Sequence, residues 1–221
     1  MNGKKVEKII TILKREYGEH RWEWNPEPLD ALIGTILSQN TSDVNSHRAF
    51  SELKSKFPTW DLLLKAKERE IAKTIAVGGL ANIKSKRIKR VLTEIKERVG
   101  QLDLSLLSKL PLEGGKKFLD SLPGVGPKTT AIVLMFSFNK SLMPLDTHCI
   151  RVSKRLGLIP MKLSVERAHE IMNEVVPDVE KRNFHINLIL HGRRICKAPI
   201  PHCSICVLYK ICPRNGVKDW K

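Results

Sequence analysis

Apolar residues recur at helical spacing along nearly the whole chain, and this pattern limits the fold more than any single motif does. Residues three or four positions apart share one face of an α-helix, whereas alternate residues share one face of a strand. The first spacing dominates the sequence and the second is almost absent. The sequence therefore predicts an all-α fold built from many short helices.

Proline and glycine divide these periodic segments, because proline cannot continue a helix and glycine commonly ends one. The predicted helices cover residues 1–17, 29–37, 44–57, 60–66, 68–77, 84–99, 104–110, 115–121, 127–138, 147–156, 164–176 and 181–196. No repeat, low-complexity stretch or long linker stands out. A length of 221 residues with 42% hydrophobic residues allows one large domain or two small ones, with a sizeable core.

The chain is strongly basic, with 39 Lys and Arg against 23 Asp and Glu and a formal net charge of +16. The basic residues lie within predicted helices, as in segment 84–90, and not in a tail. Such a charge favours a polyanionic partner, nucleic acid before membrane, over a merely solvated lysine surface. Charges interrupt the apolar residues of segment 1–17, which excludes a signal peptide or membrane span there. We expect a cytoplasmic, nucleoid-associated protein that binds no membrane.

Residues 122–130 read Leu-Pro-Gly-Val-Gly-Pro-Lys-Thr-Thr, a glycine turn that opens a predicted helix. Gly124 and Gly126 permit positive φ angles and the close approach of another backbone. Pro127 suits the first turn of a helix, where its missing N–H is not needed. The free N–H groups and the positive dipole end of such a helix predict a seat for a phosphate, with a plain interhelical turn as the alternative.

A set of cysteines near the C terminus follows the pattern Cys-x6-Cys-x2-Cys-x5-Cys. The set is Cys196, Cys203, Cys206 and Cys212. Disulfides are disfavoured without a secretory signal, whereas zinc and a [4Fe-4S] cluster both accept four cysteine ligands. Structural zinc sites usually pair two short Cys-x2-Cys hooks, and only one such hook is present, so the pattern favours the cluster over zinc. Cys149 falls inside a predicted helix and is interpreted as a small buried apolar residue.

These features, together with further segments, resemble the endonuclease III family of helix-hairpin-helix DNA glycosylases, which remove damaged pyrimidines. The further segments are 36–43 (Ile-Leu-Ser-Gln-Asn-Thr-Ser-Asp), 79–82 (Gly-Leu-Ala-Asn), 146–148 (Asp-Thr-His) and 187–193 (Asn-Leu-Ile-Leu-His-Gly-Arg). They follow the order of the family and extend over nearly the whole chain.

The resemblance implies a two-domain architecture. A six-helix barrel domain that contains the helix-hairpin-helix would occupy residues 24–138. Residues 1–23 together with 139–221 would form a second helical domain that carries the [4Fe-4S] cluster in loop 196–212. Double-stranded DNA containing a damaged base or an abasic site would bind across the cleft between the domains, with the hairpin at its rim. We expect the protein to act as a monomer.

The resemblance also assigns catalytic roles that suit the residue types. A glycosylase breaks the bond between C1′ of the sugar and a base nitrogen, and an amine that takes over C1′ forms a Schiff base. The resemblance gives this role to Lys128, at a helix start that favours a neutral amine; a phosphate contact is the alternative. Asp146 precedes a predicted helix and is expected to cap it. The resemblance adds that its carboxylate supports positive charge on the sugar.

A damaged base must leave the stack before C1′ can be reached, and other side chains fill the gap. The resemblance places Gln39, Asn40 and Thr41 at this gap, but the family often has Ala-Gln-Ala-Thr where this chain has Gln-Asn-Thr-Ser, so either amide is open as the plug. Leu80 would be an apolar wedge, or merely cover the barrel. His148 would lie near the DNA backbone. The alternative is a histidine whose hydrogen bonds are satisfied within the fold and that contacts no DNA. The remaining predicted DNA contacts are Gly124, Val125, Gly126, Thr129, Arg193 and Lys197.

The sequence therefore predicts a bifunctional DNA glycosylase and AP lyase of base excision repair, which removes oxidised pyrimidines and nicks 3′ of the abasic site by β-elimination. A thymine or uracil mismatch glycosylase of the same superfamily is one alternative. A non-enzymatic helix-hairpin-helix DNA-binding protein is another. An adenine glycosylase is disfavoured, because that class typically lacks a lysine at the position of Lys128.

Overall fold

The computed structural model describes residues 3–20 and 25–221, and within them every regular element is a helix. The α-helices are α1 (Gly3–Tyr17), α2 (Pro28–Ser38), α3 (Asp43–Lys56), α4 (Trp60–Lys65), α5 (Glu68–Thr74), α6 (Ala81–Val99), α7 (Leu106–Lys109), α8 (Leu112–Asp120), α9 (Pro127–Phe138), α10 (Thr147–Arg155), α11 (Val165–Val175) and α12 (Lys181–Arg194). Short 3-10 turns cover Ala76–Gly78, Asp178–Glu180, Cys203–Ile205 and Tyr209–Ile211. The all-α prediction is confirmed.

The chain divides into two compact units. Among the described residues, the middle unit covers 25–140, and the terminal unit covers 3–20 together with 141–221. The start of the predicted helix at residues 1–2 and the predicted domain boundary between residues 23 and 24 lie outside the described residues.

The core of the middle unit is built around α2 and α9, which pack against each other. Both helices are apolar on most of their faces, as buried helices are. In α2 the buried apolar residues are Leu29, Ala31, Leu32, Ile33, Ile36 and Leu37. α3 packs beside α2, α8 packs beside α9, and α5 packs against α6. This arrangement brings the loops after α2, before α6 and before α9 into one unit.

The core of the terminal unit forms where α1 and α10 pack against α12. α1 carries a stripe of apolar residues at the spacing of one helix face, and all of them are buried: Val6, Ile9, Ile10 and Leu13. Gly192 lets α12 approach α10 closely, because a Cβ at this position would lie 2.9 Å from the Cβ of His148. Cys196, Cys206 and Cys212 pack against the same core.

Most predicted helix ends agree with the structure to within a residue or two, but α6 and α8 begin earlier than predicted. α6 starts at Ala81 and not at residue 84, and α8 starts at Leu112 and not at residue 115. α8 includes Gly114 and Gly115, which weaken an isolated helix. Tertiary packing overrides that preference, since a Cβ at Gly115 would lie 3.1 Å from Leu134 of α9. None of the helices in the described ranges has the length and apolar character needed to cross a bilayer.

Candidate functional site

The loop between α8 and α9 forms a tight turn whose shape depends on Gly124. The φ angle of Gly124 is +74°, in the left-handed region that glycine enters without steric penalty. Val125 N–H donates a hydrogen bond to Leu122 O at 3.1 Å, which closes the turn. Gly126 is extended and Pro127 takes the first position of α9. The predicted turn and helix start are both confirmed.

The N terminus of α9 is left without a side-chain cap, because Gly126 occupies the capping position. The N–H groups of the first helical turn therefore remain for another acceptor, such as an anion. Thr130 of α9 joins this helix to the end of α8, because its Oγ1 donates a hydrogen bond to Asp120 Oδ1 at 2.5 Å. Hydrogen bonds thus hold the turn and the helix start, while no side chain caps the first N–H groups of α9.

Lys128 lies in the first turn of α9 and is half-buried. Within the described part of the middle unit, no hydrogen bond or ion pair joins its Nζ to another residue. Val125 and Thr129, which were predicted to contact DNA, are only 7% and 3% exposed. Their side chains belong to the packing of the hairpin, so only their backbone groups can reach a partner.

The loop after α2 presents its two amide side chains differently. Gln39 is half-buried, and its Oε1 accepts a hydrogen bond from Arg87 Nη1 of α6. Asn40 is exposed and has a φ angle of +53°, a left-handed conformation that asparagine adopts more readily than most residues. Thr41 is half-buried. Asn40 is therefore the more exposed of the two amides, and Gln39 is held back by Arg87.

Leu80 is an exposed apolar residue in an unfavourable backbone conformation. Its φ angle is +50°, and the residue is 48% exposed. The left-handed conformation costs a residue with a Cβ about 1–2 kcal/mol. Gly79, directly before it, also has a positive φ of +69°. The packing of the middle unit does not bury Leu80, so its side chain is available to a binding partner.

Sequence reasoning missed Lys84 and Arg87, which it treated only as part of a basic segment. Lys84 is 1% exposed, and its Nζ donates to Leu37 O at 2.7 Å and to Gly78 O at 2.8 Å. Burial lowers the pKa of this lysine. A signal was present, because Lys84 falls on the buried face of α6 with Ile88, Val91 and Ile95, at helical spacing.

In the terminal unit, Asp146 caps α10 as its position before Thr147 predicts. Its Oδ1 accepts a hydrogen bond from Cys149 N–H at 2.7 Å. Burial alone would raise the pKa of Asp146. The bond from Cys149 and the nearby imidazoles of His185 and His148 outweigh this effect, so the pKa lies below its ordinary value. The Asp146 side chain is therefore an ionised carboxylate at neutral pH.

His148 is half-buried on α10, against the close contact with Gly192. Arg151 Nη2 lies 3.0 Å from His148 Nδ1 and donates to Gly192 O at 2.9 Å. Sequence reasoning did not single out His185, which is buried on α12 with its Nδ1 3.5 Å from Cys149 Sγ. Cys149 itself is fully buried, as expected for a small apolar residue.

The four C-terminal cysteines line one cavity, and none of them forms a disulfide. Val152, Leu156 and Leu208 contribute apolar walls to the same cavity. No three His, Cys, Asp or Glu side chains in residues 3–20 and 25–221 are arranged to hold a single metal ion. The sulfur atoms nevertheless surround one common space, as a donor set for a larger cofactor would.

Burial raises the pKa of three of these four thiols. It raises the pKa of Cys206 to about 11 and also raises the pKa of Cys203 and Cys212. Thiolates at these positions therefore require a compensating positive charge. N–H donors point at the sulfurs: Arg155 Nη1 lies 3.5 Å from Cys196 Sγ and Arg214 N lies 3.4 Å from Cys212 Sγ. The donor set fits a cofactor that binds as a cation to four thiolates.

Arg155 holds the start of the cysteine loop against α10. Its guanidinium donates to the backbone carbonyls of Cys196, Lys197 and Pro199, at 3.3, 2.6 and 3.2 Å. Arg193 and Lys197, both predicted DNA contacts, are exposed at the end of α12 and in this loop. The loop anchored by Arg155 thus presents basic side chains to solvent.

Comparison with known proteins identifies the family. Residues 33–178 match the family described as the HhH-GPD superfamily base excision DNA repair protein. The chain is 32% identical over 201 residues to endonuclease III of Thermotoga maritima, which covers 91% of this chain and 88% of that protein. It is 39% identical over 168 residues to a candidate DNA glycosylase of Arabidopsis thaliana, which covers 76% of this chain but only 57% of that protein.

A solved structure gives the same result. A trapped endonuclease III–DNA covalent intermediate superposes with a TM-score of 0.84 at 25% identity, and the match covers 97% of each chain. The fold thus agrees with that of the solved relative. The chain belongs to the HhH-GPD superfamily of base excision DNA repair proteins and, within it, to the endonuclease III family.

Proposed function

We propose that this protein is a bifunctional DNA glycosylase and AP lyase that removes oxidised pyrimidines from duplex DNA. The observation that carries the proposal is Lys128, whose amine follows the glycine turn and has no hydrogen-bonding or ionic partner within the described part of its unit. A lysine that only stabilised the fold would be expected to have such a partner. The relative trapped as a covalent intermediate with DNA supports a covalent step.

In the proposed reaction, the lone pair of neutral Lys128 Nζ forms a bond to C1′ of the damaged nucleotide. The bond between C1′ and the base nitrogen breaks, and its electron pair leaves with the base, which takes up a proton as the attacking Nζ loses one. Opening of the sugar ring then gives a Schiff base between Nζ and C1′. Loss of a proton from C2′ expels the 3′ phosphate, which nicks the strand, and water releases the lysine.

Asp146 is proposed to stabilise the positive charge that develops on the sugar as the base departs. Its lowered pKa keeps the carboxylate ionised at neutral pH, which this role requires. Its cap on α10 fixes the carboxylate in one orientation, since Oδ1 is held by Cys149 N–H. The structural and catalytic roles are therefore compatible in one residue.

Most side chains proposed to contact DNA are ones that the fold leaves exposed to solvent. Asn40 and Leu80 are the exposed side chains of their loops, and they are proposed to fill the gap and to wedge the duplex when the base is extruded. The backbone of the glycine turn is proposed to bind phosphate at the start of α9. Arg193 and Lys197 are proposed to bind phosphates, with His148 close to the DNA backbone.

The cysteine cavity is proposed to hold a [4Fe-4S] cluster, with Cys196, Cys203, Cys206 and Cys212 as its ligands. When bound, the cluster would supply a rigid cross-link for loop 196–212 and no step of base removal. The shared cavity and the absence of disulfides among these cysteines support the assignment. The two compact units support a barrel domain and a cluster domain. The protein is proposed to act as a monomer.

Borohydride trapping tests the proposal, because borohydride reduces a Schiff base to a stable amine and leaves the protein attached to DNA. The substrates are duplexes with thymine glycol, with uracil opposite guanine, or with a bare abasic site. Lys128→Gln is compared with wild type, and Lys109→Gln, an exposed lysine of the same unit, serves as the matched control.

We expect trapping on thymine glycol and on the abasic site by wild type and the Lys109→Gln variant, and none by the Lys128→Gln variant. Trapping on the abasic site and on uracil opposite guanine, but not on thymine glycol, would instead identify the protein as a mismatch glycosylase. No trapping on any substrate, by wild-type protein that carries iron and binds DNA, would contradict the lyase mechanism.

A further inference from the structure

The first turns of α6 connect loops that lie far apart in the sequence. The ammonium of Lys84 is buried and donates to Leu37 O, at the end of α2, and to Gly78 O, in the turn before Leu80. These carbonyls lie at the roots of the loops that carry Asn40 and Leu80. One side chain therefore fixes the distance between both loops.

Arg87 lies one helical turn further along α6 and extends the same connection to the hairpin. Its Nη1 donates to Gln39 Oε1, in the loop after α2. The same side chain packs against the hairpin, since a Cβ at Gly124 would lie 2.7 Å from Arg87 Cδ and 2.8 Å from Arg87 Cζ. Residues i and i+3 share a helix face, so Lys84 and Arg87 point to the same side of α6.

A buried ammonium is a costly way to fill space. Transferring a charged amine from water to a site with only neutral acceptors carries a desolvation penalty, whereas methionine would fill a similar volume without it. Burial is the one cause that shifts the pKa of Lys84, and it acts against the charged form. The placement of the ammonium between two loop roots indicates a positioning role that an apolar side chain does not supply.

We propose that Lys84 and Arg87, together the α6 cation pair, are positioning residues that hold the Asn40 loop, the Leu80 turn and the glycine hairpin in one fixed arrangement for base extrusion. The inference rests on the proposed function, because it assigns the three loops to the extruded-base complex. Neither residue touches the reacting atoms. The pair acts on the step that opens the duplex, before Lys128 reacts.

The test compares Lys84→Met with Lys86→Met. Lys86 lies on the same helix and is exposed, so its variant loses an equal charge without the buried contacts. Each variant is assayed for thermal unfolding, for affinity to undamaged duplex, and for the single-turnover rate of thymine glycol removal. Nicking of a bare abasic site, where no base is extruded, is measured in parallel.

We expect the Lys84→Met variant to bind undamaged duplex as wild type does and to remove thymine glycol at least about tenfold more slowly, since small misplacements of supporting groups carry such penalties. Its abasic-site nicking should fall much less. The Lys86→Met variant should lower damaged and undamaged binding equally. Equal losses of base removal and nicking in the Lys84→Met variant, with an unchanged unfolding temperature, would overturn the proposal.

A double-mutant cycle with Leu80→Ala separates positioning from general destabilisation. If Lys84 acts by holding the Leu80 turn, the Leu80→Ala change should cost little in the Lys84→Met background, whereas additive losses would overturn the proposal. If the Lys84→Met variant does not fold, a second cycle replaces it. That cycle compares Arg87→Met, Gln39→Leu and the variant that carries both changes. Wild-type protein that fails to remove thymine glycol would refute the proposed function itself, independently of the α6 cation pair.

Discussion

At the scale of single residues, Asp146 combines a structural and a proposed chemical role, and the two roles depend on different properties of its side chain. Capping requires only an oxygen that accepts the bond from Cys149 N–H. Charge stabilisation requires an ionised carboxylate. Asparagine keeps the first property and loses the second, because asparagine and aspartate cap helices almost equally well.

Replacing Asp146 by Asn should therefore slow base removal by at least about 100-fold, the size of effect seen when one preorganised electrostatic contact is lost from an active site. The cap survives, so the variant should lose only the stability that the ionised carboxylate contributes. Single-turnover excision of thymine glycol and thermal unfolding are the measurements. Asp146→Ala is the companion variant, and it should also lose about 1 kcal/mol of stability with the cap. If a higher concentration of the Asp146→Asn variant restored the wild-type rate of base removal, the defect would lie in DNA binding and not in charge stabilisation.

The lowered pKa of Asp146 also predicts a pH dependence. A carboxylate whose folded-state pKa lies below its unfolded value contributes stability above the unfolded pKa, about 3.9, and loses it as pH falls through the folded pKa. The difference in unfolding free energy between wild type and the Asp146→Asn variant should therefore be constant near neutral pH and shrink below about pH 4. Urea unfolding across this range measures it, and a constant difference would contradict the shift.

At the scale of elements, the hairpin offers a matched pair of glycines. Gly124 has a φ angle of +74° and faces Arg87, whereas Gly126 has a φ angle of −120° with open space around its missing Cβ. Gly124→Ala should destabilise the fold by about 1–2 kcal/mol, because alanine is strained in the left-handed region. Gly126→Ala should be close to neutral for stability. Urea unfolding of both variants tests this, and equal effects would contradict the geometry.

The cysteine loop depends on another single residue at this scale. Arg155 donates to backbone carbonyls along the loop and lies beside Cys196 Sγ, which its planar fork makes possible. Arg155→Lys keeps the charge and loses the fork. We expect it to retain less iron per protein and to unfold at a lower temperature, as measured by iron analysis and thermal unfolding. Arg167→Lys on α11, an exposed arginine paired with Glu170, is the control. An unchanged iron content in the Arg155→Lys variant would contradict the assigned role.

At the scale of the whole molecule, the net charge of +16 predicts how DNA binding responds to salt. Each phosphate contact releases counterions, so the logarithm of the affinity should fall linearly with the logarithm of salt concentration, with a slope of about −0.9 per contact on duplex DNA. Fluorescence anisotropy on undamaged duplex measures the slope. The single-turnover rate of base removal at saturating protein should change little over the same salt range. A flat affinity would contradict binding through the basic surface.

Local physics explains what could be predicted. The sequence predicts the helix of residues 127–138 with its observed ends, because a proline at the start and an unbroken apolar segment are local signals. The cap at Asp146 was predicted for the same reason. α8 was predicted too short, since its early start depends on the packing of Gly115 against Leu134, which no neighbouring residue in the sequence encodes.

By itself the sequence determined that the chain is helical and basic, that a glycine turn opens α9, and that four cysteines can serve one site, because all of these follow from residue type and spacing. The tertiary structure alone decided which polar groups meet. Lys84 bonds to Leu37 O across 47 positions, and Arg87 joins Gln39 across 48. Such contacts arise when separate helices pack into one core and bring their loops together, so they depend on the three-dimensional fold and leave no local pattern in the sequence.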